Sequence, residues 1–240
     1  MNIFAMETDL YDITELDLFD RNKVENILKG LDEEGRNYML RNIRKASETI
    51  IVLQEKINDL DEKVMELDVK LKHDPLIPNI YNRSKFDADL KDGVENANKY
   101  KNLVTLVMID IDGFKKYNDT YGHPKGDKLL RTLASCLRRE EVLYRYGGEE
   151  FAVILPGTSL EQGTKAALRL RQAVEEYFRR AGNITISLGV ATYDSSQNLE
   201  KDEVLSLKQR ADKALYHAKD CGKNRVEAYT DKLADVPSKI

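Results

Sequence analysis

Between residues 43 and 71 the apolar side chains fall at Ile43, Ala46, Ile50, Leu53, Ile57, Leu60, Val64, Leu67 and Leu71, in alternating steps of three and four. So narrow and sustained a stripe reads as a heptad seam rather than as the buried face of one helix packed on its own domain. With Ile43, Ile50, Ile57, Val64 and Leu71 at position a, and Ala46, Leu53, Leu60 and Leu67 at d, β-branched a residues against mostly Leu d residues favour a parallel two-stranded coil. A homodimer is expected.

The seam stops at "KHDPLIPNIYNRSKF", where Pro75 and Pro78 end the helix near Lys72. The 240 residues therefore divide into an acidic, helical N-terminal segment (1–42), the coil (43–73), a larger domain (74–230) and a short tail (231–240). Residues 1–20 carry Glu7, Asp9, Asp12, Glu15, Asp17 and Asp20 and no base, which reads as a solvated tail or helical cap where an upstream regulator would make contact. The net charge of −4, with 41% hydrophobic and 33% charged residues, implies a soluble globular protein with a highly charged surface and no nucleic-acid partner. Cys136 and Cys221 form neither a metal-type spacing nor a disulfide framework, as expected in a reducing cytoplasm. No apolar run approaches the roughly 18 residues of a spanning helix, and "MNIFAMETDLYD" lacks the basic start of a signal peptide, so a cytoplasmic location without a membrane is expected.

Beyond the prolines the pattern predicts a helix over about 83–98, the strand "LVTLVMIDI" (103–111), a short helix, a helix over about 124–138, and a hairpin within "LYRYGGEEFAVILP" (143–156). A helix then starts at Ser159, whose Ser159-x-x-Gln162 spacing is that of a capping box, and runs to about Phe178. The strand "NITISLGVATY" (183–193) follows. The last helix carries Leu207, Ala211, Ala214, Leu215 and Ala218 on one face and ends at Gly222. The fold class expected is α+β, a sheet with helices mostly on one face.

The chemistry concentrates on acids at strand ends. In "MIDIDGFKKYND" the period of two puts Asp110 and Asp112 on one side while Ile111 points to the other. Such carboxylates suit Mg²⁺, which takes one or two protein carboxylates and lets substrate phosphates complete its shell. Glu149 and Glu150 on the hairpin turn would supply further oxygens. Clustered acids repel one another, so a bound cation makes the arrangement intelligible. Gly147 and Gly148 are expected to allow positive φ and to offer bare backbone to a phosphate or ribose. After Asp112, N–H groups at the start of a short helix, together with Lys115, would cradle a polyphosphate.

Four blocks, "DIDGFKKYNDTYGHPKGDKLL", "RYGGEEF", "ITISLGVA" and "ADKALYHAKDCGKNRV", in this order and spacing, closely resemble the GGDEF family of diguanylate cyclases, over residues 74 to about 229. "GGEEF" is a common active form of the family signature. The resemblance implies a palm-like nucleotide-cyclase fold and the condensation of two GTP into cyclic di-GMP with release of two pyrophosphates. It implies Mg²⁺, with Mn²⁺ as an alternative, held by Asp110, Glu149 and the carbonyl of Ile111. Glu149 or Glu150 would help deprotonate the 3′-hydroxyl. Asn118 and Asp127 would hold guanine, whose N1–H and N2 amine a carboxylate can accept from and adenine lacks. Lys115, His123, Lys219 and Lys223 would face phosphates, with Gly147 and Gly148 against the nucleotide. Each domain would bind one GTP, and the coil would bring two domains face to face.

Three departures accompany the resemblance. The family's lead-in Asp-x-Leu-Thr-Gly-Leu-x-Asn-Arg reads "DPLIPNIYNR", one residue longer and without Thr-Gly. Arg138 and Glu141 occupy the ends of the inhibitory Arg-x-x-Asp site, with Glu in place of Asp, which predicts weakened feedback by product. The interval from Asp127 to Gly147 is also about one helical turn (roughly 3.6 residues) short of the family's usual spacing. Two other readings are a catalytically silent GTP-binding signalling module and a synthase of a mixed guanine/adenine cyclic dinucleotide. The intact "GGEEF" counts against the first and Asp127 against the second.

Overall fold

A computed structural model describes residues 21–137, 142–179, 184–196 and 202–238. The acidic stretch 1–20 and the inhibitory-site positions Arg138 and Glu141 lie outside them. The chain forms two compact units, dividing between Leu67 and Asp68.

In the first unit, α1 (Arg21–Lys29) turns into α2 (Glu33–Lys72). Asp32 Oδ1 accepts from the Gly35 N–H at 2.8 Å, and the Arg36 guanidinium donates to the Leu31 carbonyl at 3.0 Å, closing the turn. Leu28 and Ser47 are buried, while Ile43 and Ile50 are half-buried. The packed face at this end therefore runs through Ser47 and leaves Ala46 exposed, one position off the predicted seam. The Ser47 hydroxyl satisfies itself by donating to the Ile43 carbonyl at 3.0 Å. From Leu53 onward the predicted stripe faces outward: Leu53, Ile57, Leu60, Val64 and Leu67 are each 50–62% exposed.

The second unit is built on a five-stranded sheet of order β2-β3-β1-β4-β5. Its elements are α3 (Arg83–Tyr100), β1 (Leu103–Ile111), α4 (Phe114–Tyr121), α5 (His123–Leu137), β2 (Leu143–Arg145), β3 (Glu150–Pro156), α6 (Leu160–Phe178), β4 (Ile186–Asp194), α7 (Glu203–Asp220) and β5 (Val226–Ala228). All neighbours are antiparallel except β4 and β5. The element order follows the predicted one through α7, whereas β5, a three-residue strand paired with β4, was not predicted. Ser159 and Gln162 make the reciprocal capping box, the Gln162 N–H donating to Ser159 Oγ at 3.3 Å and the Ser159 N–H to Gln162 Oε1 at 3.1 Å.

Helices cover both faces of the sheet, not mostly one. Val107, Ile109, Ile111, Phe151 and Ile186 pack under α5 and α6 through Leu133, Leu137, Leu170 and Val174. On the other face Leu106, Met108, Ile154 and Tyr193 pack under α3 and α7 through Phe86, Leu90, Leu207 and Leu215. The reason lies in β1 itself. Its side chains are apolar at odd and even positions alike, so one covered face would have left Leu106 and Met108 in water, and both are at most 1% exposed.

The lead-in from α2 is tied down by Asn82. Its side-chain amide donates to the carbonyls of Leu71 (2.7 Å) and His73 (3.1 Å), while its Oδ1 accepts from the Lys85 N–H (3.0 Å) as the N-cap of α3. One residue thus ends α2 and starts α3. Among the described residues no helix is long and apolar enough to cross a membrane.

Candidate active site

The site begins where β1 runs out of apolar residues. Asp110 is 4% exposed and stands opposite Glu150 in the β1–β3 register, while the Ile111 N–H reaches the Glu149 carbonyl at 3.4 Å. The antiparallel pairing therefore brings the strand-end carboxylate and both signature glutamates, each half-buried, to one end of the sheet. Asp110 Oδ2 is 2.6 Å from Lys219 Nζ, reaching over from α7. A cation already rests on this carboxylate.

Asp110 and Asp112 share a side of the strand direction but not a role. Both carboxylate oxygens of Asp112 are engaged, by Thr185 Oγ1 (2.7 Å), Ser187 Oγ (2.7 Å) and the Asn224 N–H (3.0 Å). A metal there would have to displace these donors, so Asp112 belongs to the frame. Among the described residues no three carboxylate, His or Cys side chains form a preformed metal cage. The donors that remain, two carboxylates and a backbone carbonyl, are hard oxygens of the number Mg²⁺ takes from protein.

The turn itself is braced from outside. Arg145 donates through Nη2 to the Gly148 carbonyl at 2.8 Å and through Nη1 to Asp74 Oδ1 at 3.1 Å. Asp74 also accepts from the N–H groups of Leu76 (3.0 Å) and Ile77 (2.8 Å). The lead-in segment and the signature turn are thereby joined through one guanidinium. Contrary to the sequence expectation, neither Gly147 nor Gly148 has a positive φ. A Cβ at Gly147 would lie 2.8 Å from Glu150 Oε2, the movable end of a side chain; at Gly148 it would meet nothing within 4 Å, leaving that backbone open.

Asn118 on α4 points toward the first turn of α5. A Cβ on Gly126 would fall only 1.9 Å from Asn118 Oδ1, so this glycine makes room for the amide. Sequence reasoning passed over Gly126; its place next to Asp127 was the available signal. Asn118 Oδ1 is buried with no hydrogen-bond partner, and Asp127, half-buried, follows Gly126 directly. An unsatisfied buried acceptor beside a carboxylate suits a ligand edge rich in N–H donors. Lys115 and His123 are exposed on α4 and at the start of α5. Lys223 is exposed on the turn after α7, and no contact joins it to the other predicted phosphate-facing groups.

Known proteins with this geometry form a coherent set. Residues 71–225 match the family described as "Diguanylate cyclase, GGDEF domain". Diguanylate cyclase A of Treponema denticola is 43% identical over 55% of this chain and 37% of its own length. Diguanylate cyclase DgcP of Pseudomonas aeruginosa is 31% identical over 90% of this chain and 33% of its own. The chain thus spans about a third of the length of these curated relatives. Among solved structures, the coiled coil and GGDEF domain of DgcB from Caulobacter crescentus, in complex with c-di-GMP, superposes with a TM-score of 0.67 at 30% identity, covering 76% of this chain and 98% of that one. SiaD from Pseudomonas aeruginosa, solved with its activator SiaC, superposes with a TM-score of 0.58 at 26% identity and covers 93% of this chain and 88% of its own. With its signature glutamates set against Asp110 at the sheet end and its match running through more than half of its length, this chain belongs to the GGDEF-domain family of diguanylate cyclases.

Proposed function

We propose that the protein is a diguanylate cyclase that condenses two GTP into cyclic di-GMP with release of two pyrophosphates, acting as a dimer aligned by α2. The observation that carries this reading is the pairing of Asp110 with Glu150, which sets a buried carboxylate against the signature turn with a lysine already upon it.

In this reading Asp110, Glu149 and the carbonyl of Ile111 hold Mg²⁺, or Mn²⁺ in its place. When bound, the ion neutralises the triphosphate and polarises the phosphorus under attack. The chain's own residues supply the rest. Asn118 and Asp127 accept from the N–H groups of guanine and set its orientation. Lys219, freed from Asp110, joins Lys115, His123 and Lys223 around the phosphates. Gly147 and Gly148 let the nucleotide approach the backbone. Glu149 or Glu150 accepts the proton of the 3′-hydroxyl, which attacks the α-phosphate held by the other copy. Each chain is half a site, and dimerisation converts two bound nucleotides into neighbours at high effective concentration.

The outward stripe from Leu53 to Leu67 is the surface for that second copy: half-exposed apolar residues at heptad spacing bury themselves by pairing. The crystal structure of DgcB contains a coiled coil joined to its GGDEF domain, which supports the arrangement. SiaD was solved with an activator and resembles this chain over 93% of its length, which supports an upstream regulator; the acidic N-terminal segment is the proposed point of contact. Cytoplasmic residence fits the supply of GTP.

Incubating the full chain with GTP and Mg²⁺ and identifying the nucleotide product tests the proposal. Cyclic di-GMP, unaffected by added ATP, is the expected product. A protein that binds GTP and never turns it over is instead a silent module, and incorporation of adenine assigns a mixed-dinucleotide synthase.

A further inference from the structure

The turn that follows α7 is held in a conformation its sequence does not favour. Gly222, Lys223 and Asn224 have consecutive positive φ values of 108°, 65° and 47°. Glycine adopts this region freely and asparagine with modest penalty, but a lysine there is disfavoured. Some external restraint must pay for it.

The restraint is visible on both sides of Asn224. Its backbone N–H donates to Asp112 Oδ2 at 3.0 Å, and the same carboxylate is anchored to β4 by Thr185 Oγ1 and Ser187 Oγ, each at 2.7 Å. Its side chain is gripped by α6: the amide donates to Glu175 Oε1 at 2.8 Å, and its Oδ1 accepts from Arg171 Nη1 at 2.9 Å. Arg171 also pairs with Glu175 at 2.8 Å, so donor and acceptor of the grip brace each other. On the helix side the Lys223 N–H is fixed to the Ala218 carbonyl at 3.0 Å. The turn is therefore held at once by Asp112 just past β1, by α6 and by α7, although the lysine at its tip is exposed.

We propose that Asp112, Asn224 and the Arg171–Glu175 pair are positioning residues, which hold the Gly222–Asn224 turn left-handed so that Lys223 presents its ammonium to the nucleotide's phosphates. The inference rests on the proposed phosphate contact of Lys223. It assigns to the second aspartate of "DID" a task distinct from the first: Asp110 faces the reacting groups, whereas Asp112 aims a cation from the frame.

The test is a binding cycle on the full chain, with GTP and guanosine as probes. Asn224→Ala removes both the side-chain grip and the tolerance of positive φ, whereas Asn224→Gly removes only the grip. GTP affinity is expected to fall by about tenfold in Asn224→Ala, the size of one charge-assisted hydrogen bond, and by less in Asn224→Gly, with guanosine affinity unchanged in both. In a Lys223→Ala background Asn224→Ala should cost little more, because the cation it positions is already gone. Thr185→Val, which loosens Asp112 without touching the turn, should weaken GTP in the same sense and serves where Asn224→Ala unfolds. Equal losses for GTP and guanosine, or losses that add fully to Lys223→Ala, overturn the inference. The cycle reads affinity without turnover, so a wild-type chain that makes no cyclic di-GMP refutes the proposed activity while the clamp is still decided.

Discussion

Lys219 Nζ lies 2.6 Å from Asp110 Oδ2, and the carboxylate it neutralises is only 5% exposed. The lysine and a bound metal would share this carboxylate, which makes their exchange measurable. Lys219→Met should destabilise the ligand-free protein by about 3 kcal/mol, because a buried carboxylate loses its cation. Mg²⁺ without nucleotide should then raise the melting temperature of the variant more than that of the wild type, while turnover falls. Equal responses to Mg²⁺ in the two proteins would mean that Asp110 does not receive the metal.

Gly126→Ala should act on nucleotide affinity rather than on the fold. The added methyl would stand 1.9 Å from Asn118 Oδ1, so the amide must turn away. The expected outcome is a rise in KM for GTP of about tenfold, as for the loss of one hydrogen bond to a ligand, with a melting temperature close to wild type. An unchanged KM would remove Asn118 from the guanine site.

Replacing Leu53 and Leu60, 51% and 58% exposed in the single chain, with Glu would place four like charges along the seam of the proposed two-stranded coil. Sedimentation should show the monomer at concentrations where the wild type is dimeric, and specific activity should fall with it. Full activity in a monomeric variant would separate the coil from catalysis.

Tyr193 provides a pH signature. Burial, then its contact with Glu203 at 2.5 Å, pushes its phenol from 10.0 up to about 12. A pKa raised in the folded state contributes stability that is complete below pH 10 and is lost as the pH climbs toward about 12. Tyr193→Phe, free of this titration, should lose less stability than the wild type across that window in alkaline denaturation. Parallel losses in the two proteins would contradict the assignment.

Much of this architecture was legible from local pattern. The helix that runs up to the prolines, the capping box at Ser159 and the ends of β1 all depend on neighbours within a few residues. The meeting of Asp110 with the signature turn was implied by the family resemblance, and the β1–β3 register is what brings the two together. What escaped depends on partners far along the chain. Asp112 looked like a second metal ligand until its donors proved to be Thr185, Ser187 and Asn224, the last 112 positions away. Gly147 and Gly148 suggested unusual φ because glycine permits it, whereas neither adopts a positive φ. The second helical layer was missed, although β1 carries apolar residues at odd and even positions alike and so has no polar face to leave in water.

That one chain is half of a GTP-condensing site is open to direct measurement. The most direct test is the initial rate of product formation from GTP and Mg²⁺, followed across protein concentrations that span dimer dissociation. The account predicts one cyclic di-GMP for every two pyrophosphates released, with specific activity rising as the dimer forms. Absence of cyclic di-GMP at every concentration, or a specific activity indifferent to concentration across a measured monomer–dimer transition, would contradict it.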